Sequence, residues 1–395
     1  MDKINELLTR GVEKIYPSKA ELEKVLRSGK KLKLYYGIDP TGELHIGHMV
    51  VLKKVRQFQD LGHEIIILIG DFTATIGDPT DKKTTRQPLT REQVLLNAKD
   101  YKIHIGKILD LKKANVRFLH NEEWTNKLKP VDLLKIASQF TVAKLLERDM
   151  FQNRIREGKE IYLHEFLYPI FQAYDSVTMD VDLEIGGNDQ TFNMLTGRDL
   201  IYRMKKKNKF VMAIPLLTDA QGIKIGKTEG NAIILADKPE DLFAKIMALP
   251  DYVMVRAFEY LTDVSMDEIK RINESLSSGE NPIIYKKRLA FEIVKQLNNE
   301  KNALVAKENF EKTVQNKEVP ENIPNIEFEG QKLINIIDFL SKKGLTESKS
   351  IAKQLLRQNG ISINDITIHE PEINIKNNDI IRIGRRRWKI KLKVK

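Results

Sequence analysis

His45 and His48, in Leu44-His45-Ile46-Gly47-His48, place two imidazoles three residues apart. At the start of a helix this spacing puts both rings on one face. Gly47 lacks a Cβ, so a flat ligand can lie against the backbone between them. The free N–H groups and positive dipole of such a helix end favour a phosphate. A second string, Gly222-Ile223-Lys224-Ile225-Gly226-Lys227-Thr228, carries two lysines three apart in a glycine-bearing loop. Point charges on long flexible stems suit a polyphosphate that moves. A third string, Tyr168-Pro169-Ile170-Phe171-Gln172-Ala173-Tyr174-Asp175, sets Tyr168, Gln172 and Asp175 at i, i+4 and i+7. That spacing is one face of a helix. Bordered by Phe166, Leu167 and Phe171, the face is either a binding surface or a solvated polar stripe.

These groups need a scaffold, and the hydrophobic pattern supplies one. Residues 1–30 read as amphipathic helices, then residues 31–38 as a strand that feeds the turn Asp39-Pro40-Thr41-Gly42. A helix over 45–61 follows. Residues 64–70 are almost continuously apolar, which suits a parallel strand buried on both faces. The alternation continues with a helix over 91–109, a strand over 116–119 and a largely helical stretch over 131–179. Strands over 181–185 and 210–214 then flank a helix near 188–204. Strand, glycine turn and helix in this order predict a Rossmann-like, doubly wound α/β domain over residues 1–230. Residues 231–318 read as an α-helical domain. The proline-bearing stretch 319–332 reads as a linker. Residues 333–395 read as a small α+β module of two helices, over 333–342 and 348–358, followed by short strands.

The composition narrows the function classes. The 395 residues are 41% hydrophobic and 31% charged, as in a globular protein. With no cysteine, disulfides, thiolate catalysis and thiolate metal sites are excluded. No apolar run is long enough to span a bilayer, and the first residues lack a signal-peptide pattern. The expectation is a cytoplasmic protein with no membrane partner and no protein-bound structural metal. Charge is uneven. Residues 331–395 carry 15 Lys and Arg against 6 Asp and Glu, a net +9 of the +11 total. A basic terminal module on a nearly neutral body points to a polyanion partner. Within it, Arg385, Arg386 and Arg387 suit phosphate contacts, and Trp388 offers one aromatic for stacking.

Taken together, the histidine and lysine strings resemble the paired signatures of the class I aminoacyl-tRNA synthetases. The run Asp39-Pro40-Thr41-Gly42-Glu43-Leu44-His45-Ile46-Gly47-His48 looks like the version in the tyrosyl-tRNA synthetases. The likeness extends from about Leu34 to the C-terminus. Gly344, Ser348, Ala352, Leu356 and Gly360-Ile361 resemble an RNA-binding module shared with a ribosomal small-subunit protein and pseudouridine synthases. The family implies tyrosine activation by ATP and transfer to tRNA(Tyr), with Mg2+ delivered by the ATP and a homodimer as the assembly. It implies that Thr41, His45 and His48 contact the ATP phosphates. Lys224 and Lys227 would close over them, and Lys82 and Arg86 would reach pyrophosphate. Gly37, Asp39, Gly47, Gly187 and Asp189 would complete the ATP site, with Asp189 on the ribose. For tyrosine, the resemblance implies Tyr168, Gln172 and Asp78 on the ammonium and Asp175 on the phenol. Gln190 would reach the carboxyl or ammonium end, and Asn121 would touch the pocket from the side. Tyr35 would be the second phenol partner, although strand register could turn Tyr36 to the pocket instead. A tryptophan enzyme of the same fold and an RNA-binding paralogue without catalysis are the alternatives; Asp175 argues against the first and the intact strings against the second.

Overall fold

The computed structural model describes residues 2–78, 89–218, 225, 232–315, 324–328, 333–364, 366–384 and 386–392. It divides into two compact units, residues 1–310 and 311–395.

The first unit is built on six strands: β1 (Lys14–Tyr16), β2 (Lys33–Ile38), β3 (Glu64–Ile69), β4 (Val116–His120), β5 (Leu183–Gly187) and β6 (Phe210–Ile214). Their order is β1-β6-β5-β2-β3-β4. The pairs β2–β3, β3–β4, β2–β5 and β5–β6 are parallel. β1 is antiparallel at the edge. The expectation of residues 1–30 as helices therefore misses β1. Its three residues gain strand geometry only by pairing with β6, about 200 positions away. The continuous apolar run of β3 is buried from Ile65 to Ile69, as parallel strands between helical layers require.

From β2 the chain winds outward through β3 to β4, then returns to β5 on the other side. The order reverses between β2 and β5, where ligand crevices form in open α/β sheets. These two strands pair only over Leu34–Tyr35 and Leu183–Glu184. Beyond those residues the crevice opens at the carboxyl ends. The helices Pro239–Met247, Met254–Leu261 and Pro282–Leu297 share one apolar core with β2, β3 and the Ile46–Asp60 helix. The region read as a separate helical domain is thus continuous in packing with the sheet.

The second unit has its own core of Ile336, Phe339, Leu340, Ala352, Leu356, Ile361, Ile381 and Ile390. Helices Ile336–Lys342 and Lys349–Arg357 pack with a five-stranded sheet and a two-stranded one. Asn325–Phe328, inside the stretch read as linker, is a strand parallel to Arg386–Leu392. Leu333–Asn335, read as the start of a helix, pairs instead with Glu372–Asn374. Trp388 is half-buried against this core.

Candidate functional site

A single cavity in the crevice between β2 and β5 collects the site residues read from the sequence. Its wall includes Tyr35, Gly37, Asp39, Thr41, His45, Gly47, His48, Asp78, Asn121, Tyr168, Gln172, Asp175, Gly187, Asp189 and Gln190. Lys82, Arg86, Lys224 and Lys227 lie outside the described residues.

One end of the cavity is built at the start of the Ile46–Asp60 helix. His45 is its N-cap, and Gly47 donates its N–H to His45 Nδ1 at 3.1 Å. The His45 N–H in turn donates to His48 Nδ1 at 3.1 Å. With each Nδ1 accepting from the backbone, a neutral ring carries its proton on Nε2. The two rings lie 4.0 Å apart. A Cβ on Gly47 would meet His45 Cε1 at 2.9 Å, so the glycine first makes room for the histidine ring. The segment after the lysine string returns to the same place. Ile46 N donates to Ile233 O at 2.9 Å and Leu235 N to Leu44 O at 2.8 Å. Ile225, between Lys224 and Gly226, donates its N–H to Leu217 O at 2.8 Å and lines the cavity.

The opposite end is a buried polar pocket on the Leu163–Met179 helix. Asp175 is 2% exposed. It accepts from Trp124 Nε1 at 2.8 Å and Asn121 Nδ2 at 3.2 Å. Burial pushes its carboxyl well above the usual carboxylate range, against those two donors. Tyr35 turns to this side. Its hydroxyl bonds to Ser176 Oγ at 3.1 Å, and the Glu184 and Asp175 charges add to burial in keeping the phenol protonated. Tyr36 joins the other face of β2, nearer Asp189 and Tyr101, and lines the same cavity from there. The register thus separates the two tyrosines, because successive side chains of a strand face opposite ways.

Between the two ends, Tyr168 donates its hydroxyl to Asp39 Oδ2 at 2.9 Å. Thr73 Oγ1 donates to Asp39 Oδ1 at 2.7 Å. The Tyr168 proton being spent on Asp39, its oxygen is left to accept. Asp39, expected among the ATP contacts, thus also orients Tyr168. Gln190 Nε2 donates to Asp78 Oδ2 at 2.7 Å, and Gln190 Oε1 accepts from Asn193 Nδ2 at 2.9 Å. Arg148 lies 3.8 Å from Asp78.

Several members of the site were not singled out from the sequence. Thr73 and Trp124 sit among ordinary loop and helix residues. Glu184 lines the cavity at the end of an alternating run, Val181-Asp182-Leu183-Glu184-Ile185, where it reads as a solvent-facing residue. Lys209, fully buried against it, comes from the other side of a helix.

The family model described as tRNA synthetases class I (W and Y) matches residues 27–315. A tyrosine–tRNA ligase of Dehalococcoides mccartyi is 42% identical over 390 residues, covering 98% of both chains. That of Aquifex aeolicus is 42% identical over 372 residues and 93% of both chains. Among solved structures, a C-terminally truncated mitochondrial tyrosyl-tRNA synthetase of Coccidioides posadasii superposes with a TM-score of 0.65. It is 26% identical, over 78% of this chain and 91% of its own. The fold of the Archaeoglobus fulgidus enzyme complexed with L-tyrosine matches with a TM-score of 0.60 at 23% identity, over 78% of this chain and 99% of its own.

Proposed function

We propose, for a chain that belongs to the class I tRNA synthetase family of the tryptophan and tyrosine enzymes, the activity of a tyrosine–tRNA ligase. It activates L-tyrosine with ATP to tyrosyl-adenylate and pyrophosphate. It then transfers tyrosine to the 3′-terminal adenosine of tRNA(Tyr). The observation that carries tyrosine over tryptophan is the buried Asp175 carboxylate beside the Tyr35 hydroxyl. A phenol oxygen can donate to Asp175 and accept from the Tyr35 hydroxyl at once, whereas an indole N–H can only donate.

Activation requires little proton transfer. The tyrosine carboxylate attacks the α-phosphate, and pyrophosphate leaves. The protein positions the reactants and stabilises the charge that grows on the phosphates. Thr41 and the Nε2–H groups of His45 and His48 supply donors, and Lys224, Lys227, Lys82 and Arg86 supply charge. Mg2+ enters as part of the ATP substrate. Asp189 accepts from the ribose hydroxyls, with Gly37, Gly47 and Gly187 admitting the nucleotide. The ammonium of tyrosine meets Tyr168 Oη, Gln172 and Asp78. Asn121 holds Asp175 in place. Transfer follows when the terminal adenosine hydroxyl attacks the adenylate carbonyl and AMP leaves.

The protein works in the cytoplasm as a homodimer. Val131, Leu134, Val142 and Leu163 are 65–78% exposed on neighbouring stretches of the first unit. A patch of that kind supports a self-complementary interface. Sedimentation at micromolar protein should give a dimer; a monomer there refutes it. The basic second unit holds tRNA through phosphate contacts.

The charging assay with tRNA(Tyr) tests the whole proposal. Tyrosine should be esterified to tRNA in an ATP-dependent reaction. Deleting residues 311–395 should spare adenylate formation, because every described site residue and its core belong to the first unit. Charging should collapse, and in the intact chain it should weaken steeply with salt as displaced counterions lose their entropic drive. Unchanged charging after the deletion would remove the second unit from tRNA binding.

A further inference from the structure

Behind the tyrosine pocket lies a buried ion pair that no step of the chemistry uses. Lys209 is 0% exposed and Glu184 2%. The Lys209 ammonium contacts Glu184 Oε2 and donates to Ser176 Oγ at 2.8 Å. Glu184 Oε1 accepts from Gln172 Nε2 at 3.0 Å. Ser176 Oγ also meets the Tyr35 hydroxyl. One ion pair therefore reaches Gln172 directly and Tyr35 through Ser176. The packing is fitted around it: a Cβ on Gly197 would meet Lys209 Nζ at 2.7 Å and Ser176 Oγ at 2.9 Å.

We infer that Lys209 is a positioning residue for the substrate ammonium, acting through Glu184 to set which way round the Gln172 carboxamide sits. A carboxylate can only accept hydrogen bonds. Facing Glu184, Gln172 must present its NH2 there, and its carbonyl oxygen is left for a donor. An ammonium is such a donor; the flipped amide would turn its own NH2 toward it. A buried carboxylate keeps its charge only with a partner, and Lys209 is that partner. Without Lys209, the Glu184 carboxylate loses the cation that fixes it against Gln172, so the amide loses its reason to sit one way.

This inference rests on the reading of Gln172 as an ammonium ligand, and the experiment separates the two. Dissociation constants are measured on the full chain for L-tyrosine, tyramine and 3-(4-hydroxyphenyl)propionate. The first two carry the ammonium and the third does not. Lys209→Met should weaken tyrosine and tyramine about ten- to hundredfold, the worth of a hydrogen bond to a charged group. The propionate should change less than about threefold, since it makes no such bond. In a Gln172→Ala background, Lys209→Met should have no further effect on tyramine, because the two act through one contact. Equal weakening of all three ligands, no weakening of tyramine, or losses that simply add would each overturn the inference. If Gln172→Ala itself spares tyramine, the ammonium assignment falls and the inference with it. If Lys209→Met does not fold, Lys209→Met with Glu184→Leu leaves no lone buried charge and carries the same test.

Discussion

Asp175→Ala should lower the preference for tyrosine over phenylalanine by about ten- to hundredfold, through the loss of a buried hydrogen-bond partner for the phenol. A site built around a hydroxyl rejects the deoxy analogue by about four to five orders of magnitude, a range known from this enzyme class. The rejection arises because a buried acceptor left unpaired is costly. Asp175 fits that description, buried and held by Trp124 and Asn121. The same change strands those two donors, so stability should fall by about 1–3 kcal/mol for each one left without a partner. Relative kcat/KM for the two amino acids, measured by pyrophosphate exchange, gives the selectivity, and a melting curve gives the stability. Full selectivity in a folded variant would remove Asp175 from the phenol site.

His45→Ala should slow adenylate formation by about 10^2–10^3-fold, the loss typical of one preorganised donor to a developing charge. Tyrosine affinity should stay near that of the parent, because His45 sits at the helix start and not in the polar pocket around Asp175. A residue that acts only in the transition state lowers the rate without changing ground-state binding. Lys227→Ala should follow the same pattern on the strength of its place in the lysine string. Single-turnover kinetics separates rate from affinity. Weakened tyrosine binding with an unchanged activation rate would contradict the role of either residue.

Much of this architecture is legible in the chain. β2, β3, β5 and β6 declare themselves by apolar runs, and the histidine string by its place after β2. The three site residues at helical spacing, Tyr168, Gln172 and Asp175, face one cavity as their spacing requires. What was not legible depends on distant partners. β1 is three residues long and is a strand only beside β6. Glu184 reads as the solvent side of an alternating strand, yet it is buried because Lys209, 25 positions later, meets it there. The short strands of the second unit, such as Glu372–Asn374, pair with Leu333–Asn335 nearly forty residues earlier. Local pattern cannot reveal pairings of that range. The orientation of Tyr35 against Tyr36 likewise became clear only from the register of β2 against its neighbours.

The most direct measurement is tyrosine-dependent ATP–pyrophosphate exchange by the full chain, without tRNA. Rapid exchange with L-tyrosine, and background exchange with L-tryptophan or with no amino acid, is the expected result. Exchange with tryptophan equal to that with tyrosine, or none with either, would contradict the assignment of this pocket to tyrosine activation.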